Sequence, residues 1–245
     1  MTNFLTARWE NLIMVNYEIN PEILQPWIPA GTSLDYYNDK TYVSLVGFMF
    51  VKTKLFGVTV PRMGTFEEIN LRFYVTRKEG DIIKRGVVFI NETVPHKTVA
   101  WLANKLYKER YKAIPTKHHW QIEQTKQIEY HWKPGNAWNY IKVNAASQTI
   151  PIQHGSKEEF IFEHYYGYTR ISPIASEEYK VEHPRWKTNS VHKSEINCDF
   201  EAMYGKEFSH LSSQQPSSTM LAEGSAISVK WKRRRLELIT NPISG

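Results

Sequence analysis

One cysteine in 245 residues, Cys198, rules out an intrachain disulfide and suits a reducing compartment. Without a partner motif, it reads as a small packing residue. No apolar stretch reaches the roughly 18 residues that a membrane span needs. The opening MTNFLTARWENLIMVNYEI has no basic start followed by a long apolar run, so no signal peptide is read there and the expected location is cytoplasmic. G-x-S-x-G, G-x-G-x-x-G and the phosphate-binding P-loop are all missing. This removes support for a serine nucleophile elbow and for nucleotide-phosphate cradling. None of the nine histidines shows H-E-x-x-H or Cys/His ligand spacing, and no metal or other cofactor is expected. His118 and His119 are adjacent and would point to opposite faces of a strand.

What is present is apolar and aromatic. Hydrophobic residues make up 41% and aromatics 13%, enough for a real core, so the chain is expected to be globular. The net charge of +6 permits an anionic ligand without requiring nucleic acid. The length fits one large domain. With no repeat and no clear linker, residues 1–245 read as a single unit.

Strands dominate the reading. Asn11–Tyr17 and Thr41–Val51 (TYVSLVGFMFV) are apolar and rich in β-branched and aromatic residues. Asn20 can cap a short helix with Pro21 at its first position, stopped by Pro26, Pro29 and Gly31. Pro61–Gly64 and Lys133–Asn136 read as turns. Gly86–Glu92, Trp120–Trp132 and Phe160–Arg170 read as strands, and Ile227–Leu238 as the closing strand. Thr98–Lys112 has Val99, Leu102, Ala103 and Leu106 at helical spacing. Lys105, Lys108, Glu109 and Lys112 take its other side, where Glu109 can pair with Lys105. Ser172–Glu178 and Ser209–Thr219 read as loops. Many strands and two helices describe a mainly β (α+β) protein, and barrel closure would remove exposed strand edges.

The segment FEEINLRFYV, Phe66–Val75, carries the most chemistry. Glu68, Asn70, Arg72 and Tyr74 fall on one side of the strand, and Ile69, Leu71, Phe73 and Val75 on the other. A row of acid, amide, guanidinium and phenol exceeds what a solvated face needs. Glu68 and Arg72 lie about 13 Å apart along the strand, too far to pair directly. Each is expected to meet Asn70 or a neighbouring strand. In the aromatic stretch FIFEHYYGYTR, whichever of Glu163 and His164 points inward must be hydrogen-bonded, as a ligand contact or as a satisfied core group. The basic run KWKRRR, Lys230–Arg235, could meet phosphates. Its charges divide between two strand faces, so a solvated edge is the favoured reading over nucleic-acid binding.

The succession WENLIMVNYEINPEILQPWIPAGTSLD, TYVSLVGFMF, FEEINLRFYV, GVVFINETVPHKTVAWLANKLYKERYKAIP, FIFEHYYGY and EHPRW resembles the YqjF-like family of uncharacterised proteins over nearly the whole chain. That family is similar in turn to acetoacetate decarboxylase. The resemblance implies a closed antiparallel β-barrel with an interior pocket and a few peripheral helices. It implies a site glutamate at Glu68, through the aromatic-x-Glu motif Phe66-Glu67-Glu68. The place matching the decarboxylase arginine lies near Glu18, and ANKLYKERYK has no adjacent lysine pair, Lys112 being the nearest candidate. The decarboxylase's own Schiff-base chemistry is therefore not expected. The expected function is a pocket that binds or converts a small organic acid or carbonyl compound, with Glu68 in a catalytic role and Asn70, Arg72 and Glu163 as ligand contacts. The alternatives are a non-catalytic ligand-binding barrel and, less favoured, a nucleic-acid binder. The sequence leaves the oligomeric state open, a homo-oligomer included.

Overall fold

The structure is a computed structural model that describes residues 3–59, 63–231 and 233–237. β1 (Asn3–Ile19), β2 (Ser33–Leu34), β3 (Thr41–Leu55), β4 (Val58–Thr59), β5 (Phe66–Glu79) and β6 (Ile82–Val94) come first. β7 (Tyr111–Ala113), β8 (Thr116–Ile122), β9 (Thr125–Trp132) and β10 (Asn139–Pro151) follow a helix. β11 (Tyr166–Ser172), β12 (Ala175–Glu182), β13 (Lys187–Asn197), β14 (Ser218–Lys230) and β15 (Arg234–Glu237) complete the order. Between them lie α1 (Pro21–Leu24), α2 (Lys97–Tyr107), α3 (Lys157–Phe162) and α4 (Phe200–Tyr204), with 3-10 turns at Gln25–Trp27 and Lys206–Ser212.

Strand pairing runs β12–β11–β6–β5–β3–β1–β14 and returns to β12 through Val181 opposite Val229 and Glu182 opposite Ser228, so the paired strands form a ring. From β14 the sheet continues as β13–β10–β9–β8. This extension covers the outside of the ring. Ile128 and Tyr130 of β9 and Ile141 and Val143 of β10 share one core with Ile13, Val15, Val43, Leu45, Ile69 and Leu71. The opposite faces of the same ring strands form a second core with Leu12, Met14, Val46, Phe48 and Tyr74. Strands buried on both faces need apolar residues at consecutive positions, which is why Thr41–Phe50 is buried throughout. Gly47 lets the layers meet: a Cβ there would stand 2.7 Å from Ile141 Cδ1.

Several local expectations are corrected. Phe160–Arg170 is not one strand. Ser156 Oγ caps α3 by accepting from the Glu159 backbone N–H at 3.1 Å, and β11 begins only at Tyr166. The second helix stops at Tyr107, because Lys108 turns into the left-handed region (φ 54). Lys112 therefore lies on β7, away from the helical side of Lys105, and Glu109 turns inward. β12 starts inside the segment read as a loop. Two junctions, β6–β7 and β6–β11, are parallel in a sheet expected to be antiparallel. β10 and α4 were not read from the sequence. Pro61 and Arg62 of the expected turn, and Leu238 of the closing strand, lie outside the described residues. No helix among the described residues is long and apolar enough to cross a membrane.

Candidate functional site

β5 alternates as the sequence implies. Its odd positions join the outer core, while Glu68, Asn70 and Arg72 line a cavity of about 380 Å³ inside the ring. Glu68 and Asn70 are 3% and 2% exposed, so this polar face is not a solvated one. β6 lies beside β5 with Glu92 opposite Asn70, which places both side chains on one face. The left-handed turn after α2 delivers Glu109 and Tyr111 to the same space, and β12 adds Tyr179. Trp9, Phe48, Phe66, Phe89, Phe162 and Trp186 supply apolar wall.

Three buried carboxyl groups thus line one cavity. Asn70 Nδ2 donates to Glu68 Oε1 at 3.1 Å, and Tyr111 Oη donates to Glu68 Oε2 at 3.0 Å. Thr169 Oγ1 and Tyr179 Oη donate to Glu109 Oε1 at 2.6 and 3.0 Å. Burial penalises the charged form and pushes Glu68 up to about 7, against the pull of its two hydrogen bonds. Burial likewise pushes Glu109 up to about 7. Glu92 rises well above the usual carboxyl range through burial and the charges of Glu109 and Glu68. Such a cluster shares protons, and near neutral pH it can both give and accept one.

Arg72 lies at the other polar end. Its Nη2 donates to the Ile161 carbonyl at 3.2 Å and touches Met14 Sδ at 3.5 Å, and the guanidinium carbon lies 5.6 Å from the Tyr74 ring centre. No carboxylate stands within ion-pair distance of Arg72 among the described residues. Arg72 Nε, Asn70 Oδ1 and Glu92 Oε2 are buried without a hydrogen-bond partner in the protein. Buried polar atoms are normally satisfied, and these three belong to residues that line one cavity.

Glu163 is not among the residues that line the cavity. As the C-cap of α3 it accepts from Tyr165 Oη at 2.5 Å. Its neighbour His164 lines the cavity instead, with its side chain fully buried and Nε2 donating to Asp35 Oδ2 at 3.0 Å. Strand alternation could not decide between the two, because a helix end and not a strand positions them. Burial pushes His164 down to about 4, the hydrogen bond from its ring to Asp35 opposing and the charges of Arg85 and Arg72 reinforcing the fall. Burial lowers His183, also on the cavity wall, to about 4. Glu92, Glu109, Tyr111, Tyr179 and His183 also line the cavity and were not singled out by strand reading, whereas His164 was one of its two alternatives. Only Glu92, on the same alternation as the inner face of β6, had a usable signal.

No lysine is among the described residues lining the cavity. Lys112 Nζ donates to the Met203 carbonyl at 3.2 Å, and Lys105 Nζ lies 4.8 Å over the Trp101 ring. In the segment expected to carry the lysine, the side chain presented to Glu68 is Tyr111. No group of three His, Cys, Asp or Glu side chains arranged to hold a metal ion occurs among the described residues. The basic run faces acids. Lys230 meets Glu182 at 2.9 Å and Arg233 meets Glu177 at 2.9 Å, Arg234 pairs with Glu79, and Lys232 lies outside the described residues. Glu67, next to Glu68, points the other way and contacts His118 Nδ1 at 2.5 Å.

Residues 6–226 match the DUF2071 family, described as uncharacterized conserved proteins. The protein YqjF of Bacillus subtilis (strain 168) is 28% identical over 90 residues, a stretch that spans 36% of this chain and 36% of that relative. In fold, the chain is similar to the enduracididine biosynthesis enzyme MppR complexed with pyruvate, with a TM-score of 0.66 at 11% identity, covering 97% of this chain and 92% of that one. An acetoacetate decarboxylase-like enzyme from Sphingomonas wittichii RW1 gives 0.63 at 11% identity, covering 98% and 95%. Acetoacetate decarboxylase from Legionella pneumophila gives 0.59 at 12% identity, covering 92% and 84%. The fold is thus mainly β and acetoacetate decarboxylase-like.

Proposed function

This chain belongs to the DUF2071 family, and from that premise we propose that its interior cavity binds and converts a small organic acid or carbonyl compound without a Schiff-base lysine. The ring of strands is read as a closed barrel around that cavity, and the ligand as anionic. One observation carries the reading: Arg72 has no carboxylate partner among the described residues and keeps a free Nε in a cavity walled by aromatic rings. A guanidinium offers a planar fork that suits a carboxylate, and half-buried Arg72 keeps one buried N–H unpaired. The aromatic walls would take the apolar part of the ligand. Asn70 would orient its polar groups, and Glu68, poised at about 7, would give or take the proton that a reaction at a carbonyl requires. Tyr111 in place of a lysine beside Glu68 supports chemistry without an imine. Among the similar structures, MppR is complexed with pyruvate and the Legionella enzyme is an acetoacetate decarboxylase, and the proposed ligand class follows that pattern.

The test is thermal melting of wild type and Arg72→Ala across a screen of small carboxylates. The expected result is a carboxylate that stabilises the wild type, together with an Arg72→Ala protein of near-normal melting temperature that gives no such shift. A variant that keeps the full shift overturns the assignment. Borohydride treatment in the presence of acetoacetate is expected to leave the intact mass unchanged, and a stable lysine adduct would show that imine chemistry operates after all.

A further inference from the structure

We propose that His164, oriented by Asp35, is the base that removes a proton from the carbon next to the carbonyl of a 2-oxo acid held by Arg72. This deepens the function proposed above and rests on it. The geometry is that of an oriented imidazole. Asp35 Oδ2 lies 3.0 Å from His164 Nε2, so Nε2 carries the hydrogen and Nδ1 keeps its lone pair. Asp35 is fixed in turn by Arg85 Nε at 2.8 Å. The ring is clamped by Tyr74 at 4.7 Å and Phe160 at 5.4 Å between ring centres. Nδ1 is buried and has no partner in the protein, and His164 is among the residues that line the cavity.

Arg72 belongs to the same corner. Its Nη2 bonds the carbonyl of Ile161, three residues before His164, and Phe162 between them also lines the cavity. A carboxylate against Arg72 would therefore put the adjacent carbonyl and its neighbouring carbon close to the imidazole. Burial keeps the ring neutral at physiological pH, able to accept a proton, and weakens it as a base, an effect that the Asp35 carboxylate opposes. In the step, Nδ1 takes the proton, the C–H electron pair forms the carbon–carbon double bond, and the carbonyl pair moves onto oxygen to give an enolate beside Arg72. Return of a proton from the imidazolium restores the 2-oxo acid. In heavy water the hydrogen on Nδ1 exchanges with solvent before it returns, so the returned atom is deuterium and no oxidant, metal or further reactant is required.

The experiment follows deuterium incorporation next to the carbonyl of 2-oxobutyrate and phenylpyruvate by proton NMR, with thermal shifts measured in parallel. Wild type should bind at least one of the two acids and accelerate its exchange over buffer. His164→Gln should keep the thermal shift and lose about 100-fold or more of the acceleration. Asp35→Asn tests orientation by a second route. As a positioning change, it should lower the saturating exchange rate while the half-saturating concentration stays near wild type. An acid that stabilises the protein without faster exchange, or exchange that survives both substitutions, overturns the role of His164 and leaves the binding function standing. If neither acid nor any other carboxylate shifts the wild type, the function proposed above fails and this inference fails with it.

Discussion

Tyr111 shows what one residue can hide. Alternation along β5 reveals that Glu68, Asn70 and Arg72 share a face, because side chains in a strand point to opposite sides in turn. Nothing local says that a tyrosine 43 positions away donates to Glu68, since that contact depends on a left-handed turn at Lys108. Glu109 escapes for the same reason, because a loop reversal places it, whereas Glu92 follows the alternation of β6 and only its register opposite Asn70 is hidden. Glu163 and His164 show the opposite failure, where a sequence pattern exists but does not choose. The Tyr111 bond holds the Glu68 charge in a buried site, so its removal should have two effects. Tyr111→Phe is expected to cost about 1–2 kcal/mol of stability. It should also make Glu68 titrate higher than in wild type, as read from the carboxyl carbon in a pH series by NMR. An unchanged or lower titration midpoint would break the link between this phenol and the acid.

At the scale of elements, the strands were legible wherever both faces are buried or the alternation is clean, as in β3, β5 and β6. The helix α3 was not, because its aromatic density resembles a strand. Its cap, with Glu159 also accepting from the Gly155 backbone N–H at 2.6 Å, was nonetheless written as Ser156-x-x-Glu159. Irregularities within strands left no such mark. β1 slips its register against β3 between Glu10 and Ile13, with Asn11 at φ 50. Opposite, Gly224 at φ +78 pairs with Glu10, and a Cβ there would stand 2.0 Å from the Trp9 carbonyl oxygen. Only glycine has both the conformation and the room. Gly224→Ala should therefore cost about 2–5 kcal/mol through strain and overpacking. It should also disturb the cavity, since Trp9 is part of its wall. Urea denaturation checks the first effect. A loss below about 1 kcal/mol would mean that the bulge tolerates an ordinary residue.

For the molecule as a whole, the buried titratable groups set stability against pH, and they work in opposite directions. Glu68 and Glu109 have folded values near 7 against 4.5 unfolded, so their contribution is fully present below about 4.5 and is lost as pH rises through about 7. His164 and His183 have folded values near 4 against 6.5 unfolded, so theirs is fully present above about 6.5 and is lost as pH falls towards 4. Between these limits the two trends offset, and from about 6.5 to about 7 the slope among these four groups comes from the acids. Replacing Glu68 by an isosteric amide removes one group that must otherwise ionise in a buried site. It also relaxes Glu92, whose raised value depends partly on the Glu68 charge. Glu68→Gln should thus gain on wild type between pH 5 and pH 8, by up to roughly 3 kcal/mol. Urea unfolding of both proteins at the two pH values measures this gain directly. A stability difference that stays constant across the interval would mean that Glu68 ionises in the folded protein as readily as in the unfolded chain, and that the acid cluster is not the proton reservoir of the cavity.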